Sequence, residues 1–212
     1  MRVTSKIKDQ MIKILSEVYA GARPALKYKT PFELLVAVIL SAQCTDQRVN
    51  MVTGELFRLA NTPEAIIKMG MPSLEKAIKS CGFYHSKAKN IMATCHSLVE
   101  NYGGKVPEDY DALLSLPGVG RKTANVVTSV AFNRPAIAVD THVFRVSNRT
   151  RLAVGETPDE VERKLQKAIP MEQWSDAHHW LIWHGRKVCK SRRPLCGECP
   201  LGELCPSNGK ND

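Results

Sequence analysis

Apolar residues recur along this chain at helical spacing almost throughout. Val3, Ile7, Met11, Ile14 and Val18 follow steps of three and four, which predicts an amphipathic helix at the start. Leu34 to Leu40 is apolar on every side, so its helix is expected in the middle of the fold. Thr30-Pro31-Phe32-Glu33 starts it with a Thr cap, Pro in the first position and Glu three residues after the cap. Thr157-Pro158-Asp159-Glu160 repeats that signal, and Pro63, Pro72 and Pro107 lie near other helix starts. No pair of alternating strands is legible. Ala136 to Val139 has a strand-like composition but no partner, and reads as a buried connector. The predicted class is all-α. No internal repeat or low-complexity linker interrupts it, and Ser207 to Asp212 is expected to fray.

Composition adds bounds. At 212 residues the chain makes one large domain or two small ones, with room for a real core. Its longest apolar run is too short to span a bilayer, and the N-terminus reads as a helix and not a signal peptide. A cytoplasmic protein is expected. Charge says more: thirty Lys and Arg against 21 Asp and Glu leave +9, which favours a polyanionic partner. Arg145, Arg149 and Arg151 cluster, and so do Arg186, Lys187, Lys190, Arg192 and Arg193. Either run alone could be a solvated surface.

The second basic run surrounds the first of four cysteines spaced C-x6-C-x2-C-x5-C: Cys189, Cys196, Cys199 and Cys205. Four thiolates in one short loop can converge on zinc or on an iron–sulfur cluster. Zinc knuckles usually come as two C-x2-C pairs, and only Cys196–Cys199 makes one. The wide first gap fits a cluster better. A disulfide framework suits the odd total of seven cysteines poorly. Cys44, Cys81 and Cys95 lack ligand spacing and read as core or free thiols.

A second motif carries chemistry. An apolar helix ends at Leu116, a turn with Gly118 and Gly120 follows, and Ala124, Val127, Val130 and Ala131 pack the next helix. Glycines let backbone approach another surface, and unpaired N–H groups at a helix start suit a phosphate oxygen. That describes a helix-hairpin-helix, which grips DNA backbone without reading bases. A plain αα-corner would also favour Gly there.

Together these segments strongly resemble the endonuclease III family of DNA glycosylases. The resemblance runs from about Pro31 to Pro206 through Ser41 to Asp46, Leu116 to Ala124, Val139 to Arg145 and the cysteine loop. It implies two helical domains flanking a DNA-binding cleft. Residues 24–134 would form a helical barrel with the hairpin, and residues 1–23 and 135–212 a discontinuous [4Fe–4S] domain held by the four cysteines. It further implies a bifunctional glycosylase and abasic-site lyase of base excision repair, acting on oxidised pyrimidines in duplex DNA. A monomeric prokaryotic protein is expected.

By this resemblance Lys122 is the nucleophile and Asp140 its carboxylate partner. An amine can displace a damaged base at C1′ and leave an imine, whose acidified C2′ proton permits β-elimination. The amine must be neutral, and an ordinary lysine is only ~0.1% neutral at pH 7.4. A helix N-terminus offsets only about 0.3–1 kcal/mol, so desolvation or a base must supply the rest. Asp140 could be that base, and could equally cap the helix that begins at Thr141.

Further contacts follow residue by residue. Gln43 would fill the gap left by a flipped base. Phe83 stands where the family has a Leu wedge, which leaves the opposite-base preference open. Gly118, Val119, Gly120, Arg121, Arg145, Lys187, Lys190, Arg192 and Arg193 are the other expected DNA contacts. His142 and His184 read as hydrogen-bonded helix residues, and Trp174, Trp180 and Trp183 as packing around the ligand loop. Three rivals stand beside this reading. An adenine-mismatch glycosylase shares the hairpin and cluster but lacks the lysine and carries a further C-terminal domain. A non-enzymatic DNA-binding iron–sulfur protein would not need both Lys122 and Asp140. A pure electron carrier would not need the basic surface.

Overall fold

The computed structural model describes residues 3–209. Among the described residues the chain is all-helical, with no strand. The helices are α1 Ser5–Val18, α2 Pro31–Ser41, α3 Asp46–Leu59, α4 Pro63–Met69, α5 Met71–Ile78, α6 Tyr84–Tyr102, α7 Tyr110–Ser115, α8 Arg121–Ala131, α9 Thr141–Thr150, α10 Pro158–Ala168 and α11 Trp174–Lys187. They divide into two compact units, Pro24–Asn133 and the combination of Met1–Arg23 with Arg134–Asp212.

The Pro24–Asn133 unit is organised around α2. Phe32 through Leu40 are all buried, because α3, α6 and α8 pack on different sides of this helix. Thr30 caps it by accepting from the Glu33 amide at 3.2 Å. The Glu33 carboxylate accepts from the Lys29 amide at 2.6 Å, so the expected reciprocal box closes one residue further back. Thr157 and Glu160 repeat the arrangement at α10, where Glu160 takes the Glu156 amide. The α4–α5 pair packs across α6, and α7 lies against α8.

In the other unit α11 packs on α9 and α1, while α10 packs on α9 and α1. The buried face of α1 is Met11, Ile12 and Leu15, continuing to Tyr19. Val18, placed on the apolar stripe by its spacing, is 52% exposed. The stripe drifts because 3.6 residues per turn carries the buried face to position 19. Ala136 to Val139 is buried and forms no strand, and the buried His178 ring meets the Ala138 carbonyl at 2.8 Å. That contact satisfies a buried carbonyl of the connector.

Trp174, Trp180 and Trp183 pack in or against the core that also takes in Cys189, Cys199, Leu201 and Leu204 of the ligand loop, though none lines the cavity there. Trp174 and Trp183 also donate to the carbonyls of Ile169 and Arg23. The predicted frayed tail is tied down at its start, where the Ser207 hydroxyl donates to the Arg149 carbonyl at 2.8 Å and Asn208 donates to Gly202. Residues 210–212 of that tail lie outside the described residues. No helix among the described residues is long and apolar enough to cross a membrane.

The central position of α2 has a measurable consequence. Leu35→Ala removes a fully buried side chain and should cost about 2–5 kcal/mol. Leu59→Ala, at a 75% exposed position, should stay within about 0.5 kcal/mol of the parent. Urea unfolding of the two variants checks the contrast, and equal losses would contradict it.

Candidate functional site

The hairpin turn is held from behind by α6. The Thr94 hydroxyl donates to the Pro117 carbonyl at 2.6 Å. Gly118 sits at φ 74, and a Cβ there would lie 2.6 Å from the Asn90 Cβ. Both facts exclude a side chain at 118. Val119, expected as a DNA contact, turns its side chain inward. Its side chain is buried, and its amide donates to the Leu116 carbonyl at 3.1 Å. It anchors the turn. Gly120 is exposed and caps α8 without a side chain. The first-turn amides of α8 have no helical acceptor, which leaves a donor-rich surface beside the exposed side chains of Arg121 and Lys122.

Gln43 and Phe83 lie far apart in sequence but on neighbouring turns. A Cβ on Gly82 would come 3.6 Å from the Gln43 carbonyl oxygen. Both residues are exposed and left-handed, Gln43 at φ 52 and Phe83 at φ 56. An aromatic residue in that region carries backbone strain. Phe83 is also 69% exposed, so it is not a core side chain.

Asp140 is the N-cap of α9. Its Oδ1 accepts from the His142 and Val143 amides, each at 2.8 Å. Both cap bonds use one carboxylate oxygen, so Oδ2 lies outside the cap.

Arg145, expected at the DNA, is turned into the protein. Its guanidinium donates to the carbonyls of Cys189 at 3.0 Å, Gly185 at 2.9 Å and Thr141 at 3.3 Å, and lies 3.2 Å from His142 Nδ1. It joins α9, the end of α11 and the start of the cysteine loop. Burial, more than any neighbouring charge, lowers the His142 pKa.

Cys189, Cys196, Cys199 and Cys205 line one cavity, together with Arg149, His184, Val188 and Leu195. Four thiolates around one cavity match the ligand count of a cubane, which gives each thiolate its own iron. The Cys199 thiol is pushed up first by burial, and also by the charges of Cys205, Cys189 and Cys196. A cationic centre relieves that repulsion, so the donor set matches an iron–sulfur group.

Arg149 and His184 support this loop, and His184 is hydrogen-bonded in place as expected. Arg149 donates to the Lys190 and Ser191 carbonyls at 2.6 and 3.1 Å and lies 3.8 Å from Cys189 Sγ. Buried His184 lies between the Tyr19 hydroxyl, 3.1 Å from Nδ1, and Cys199 Sγ, 3.7 Å from Nε2. Burial lowers the His184 pKa to about 4. Burial and the Cys199 charge push Tyr19 up to about 12. A hydroxyl donating to Nδ1 leaves Nε2–H aimed at the sulfur. Tyr19 and His184 are 165 residues apart, so no local pattern could reveal the pair. Outside the cavity, Lys187, Lys190, Arg192 and Arg193 are exposed, with the Lys187 amine 5.1 Å above the Trp183 ring.

Residues 36–171 match the HhH-GPD superfamily base excision DNA repair proteins, and residues 189–205 match the iron-sulfur binding domain of endonuclease III. Endonuclease III of Haemophilus influenzae is 55% identical over 180 residues, 85% of each chain. That of Escherichia coli K12 is 53% identical over 187 residues, 88% of this chain and 89% of its own. The solved structure of a trapped endonuclease III–DNA covalent intermediate superposes with TM-score 0.94 at 47% identity, covering 98% of both chains. The cofactor of the cysteine loop is a [4Fe–4S] cluster.

The Arg149 contacts predict a separable effect. Arg149→Ala should speed iron loss to a chelator while leaving the helical content unchanged, because two loop carbonyls lose their donor. Iron release followed by absorbance checks it. Wild-type retention would show that the loop holds its shape without this side chain.

Proposed function

We propose that this chain, which belongs to the endonuclease III family of base excision DNA repair proteins, removes oxidised pyrimidines from duplex DNA and cuts the strand at the resulting sugar. The observation that carries the reading is an exposed Lys122 on the first turn of the hairpin helix α8. The covalent protein–DNA intermediate of the related structure is what an amine nucleophile would leave when trapped.

Lys122 attacks C1′, the damaged base departs, and an imine joins enzyme and sugar. Loss of the C2′ proton then expels the 3′ phosphate by β-elimination. Asp140 takes up protons through Oδ2, the oxygen outside the cap, and stabilises positive character at the sugar. Lys122 is exposed within its own unit, so the desolvation that frees its electron pair must come with the bound DNA.

Extrusion of the target costs a few kcal/mol. Gln43 fills the vacated space, and Phe83 wedges beside the opposite base. Gly118 gives the turn its close approach, while Gly120, Arg121 and the first-turn amides of α8 hold a phosphate. Lys187, Lys190, Arg192 and Arg193 hold further phosphates. Val119 and Arg145 are positioning residues here. Cys189, Cys196, Cys199 and Cys205 hold the cluster, whose bonds to the loop fix its backbone. The partner is duplex DNA containing damaged bases or abasic sites, and the protein works as a monomer, in a prokaryote given its bacterial relatives. Lys122 argues against the monofunctional adenine-mismatch reading.

Lys122→Gln should abolish strand cleavage and leave DNA affinity nearly intact, because backbone amides and other basic side chains carry binding. Asp140→Asn should also bind, and lose most turnover. Cleavage by Lys122→Gln at the parent rate would assign the chemistry to another amine.

The basic loop makes a second, independent prediction. Each phosphate neutralised contributes about −0.9 to the slope of log affinity against log salt. Changing Arg192 and Arg193 together to Ala should flatten that slope by roughly one to two units on damaged and undamaged duplex alike. An unchanged slope, with iron content retained, would make these arginines a solvated face.

A further inference from the structure

Cys44 and Cys81 are separated by 37 residues of sequence, yet the fold sets their side chains close enough for each thiol to act on the other. Neither lies in a helix. Cys44 follows α2, with its amide on the Ser41 carbonyl at 3.1 Å, and Cys81 follows α5, with its amide on the Ile78 carbonyl at 2.8 Å. They stand on the two turns that carry the strained, exposed Gln43 and Phe83. Those turns touch a second time, where Gly82 faces the Gln43 carbonyl. Cys44 is half-buried and Cys81 fully buried. Two cations face the pair: Arg48 from α3 and Lys87 from α6, the latter buried with its amine donating to the Leu40 carbonyl at 2.9 Å.

We propose that Cys44 and Cys81 are a peroxide-oxidisable dithiol whose disulfide clamps together the turns bearing Gln43 and Phe83. The two side chains are neighbours on turns that touch, and a disulfide needs only that close approach. The roles of the two differ. Burial first, then the neighbouring Cys44 thiol, pushes the Cys81 thiol up to about 11, so Cys81 keeps its proton until late. Cys44, the more open sulfur, meets the oxidant.

The Cys44 thiolate attacks one oxygen of hydrogen peroxide. The O–O bond breaks, hydroxide leaves, and Cys44 becomes a sulfenic acid. The Cys81 sulfur then attacks the Cys44 sulfur. The S–O bond breaks, and the oxygen leaves as water with the proton that Cys81 gives up. In sum two thiols are oxidised to one disulfide and one peroxide is reduced to two waters.

The consequence for DNA rests on the function proposed above. A covalent tie between the two turns would hinder Gln43 and Phe83 from moving independently as a base leaves the stack. The bond itself does not rest on that function, because it is read by mass.

The experiment uses the iron-loaded protein. A limited dose of hydrogen peroxide is followed by thiol alkylation, non-reducing peptide mapping and iron assay. The expected product is a Cys44–Cys81 crosslinked peptide pair, lighter by two hydrogens, reversed by dithiothreitol, with iron retained. Affinity for an abasic-site duplex should fall on oxidation, recover on reduction, and be insensitive to peroxide in Cys44→Ser. Over-oxidation of Cys44 without a crosslink would overturn the dithiol, as would both thiols remaining free after iron begins to leave. A mapped disulfide with unchanged affinity would overturn the clamp. Absence of affinity in the reduced protein would instead count against the proposed function.

Discussion

The turn between α7 and α8 rests on α6 so closely that no side chain fits at its apex. Gly118 is left-handed and lies against Asn90, and Thr94 fastens the Pro117 carbonyl. Val119 plugs into the core below. These contacts determine where α8 begins and which way its unpaired amides face. They therefore also determine where Lys122 stands, one residue into that helix. A looser turn could still bind phosphate, but it would not hold an amine at one place over a sugar. Proximity of that kind removes much of the entropic cost of a bimolecular attack.

Positive charge is divided between two uses. Arg145 and Arg149 are consumed inside the protein, tying carbonyls of the cysteine loop to α9 and α11. Lys190, Arg192 and Arg193 remain at the surface. A short loop rich in cations would repel itself and stay mobile. Internal arginines and a metal cluster hold its backbone, so its exposed cations lose less entropy when they meet a polyanion. The Tyr19–His184–Cys199 chain extends the same logic to the ligand sulfurs, since it holds a buried ring in place beside one of them.

The sequence made some of this legible and hid the rest, for physical reasons. Caps, proline starts and the all-apolar α2 are local, and the chain spells them out. So are the hairpin glycines and the cysteine spacing. The roles of Arg145 and Val119 depended on what faces them from elsewhere in the chain. Spacing shows that a cation or an apolar residue is present, and not whether it is spent on a carbonyl or a core. Val18 shows the same limit within one helix, where a plausible stripe drifted off the buried face. The Cys44–Cys81 contact lies between two turns that no motif connects, so three cysteines without ligand spacing looked alike until the fold paired two of them.

The central claim is that one amine, on the first turn of α8, becomes covalently joined to DNA. The most direct measurement is borohydride reduction of the protein on a duplex containing an abasic site, followed by digestion and mass spectrometry of the crosslinked peptide. The account predicts a single adduct on Lys122. An adduct on the N-terminal amine or on another lysine, with Lys122 unmodified, would contradict it.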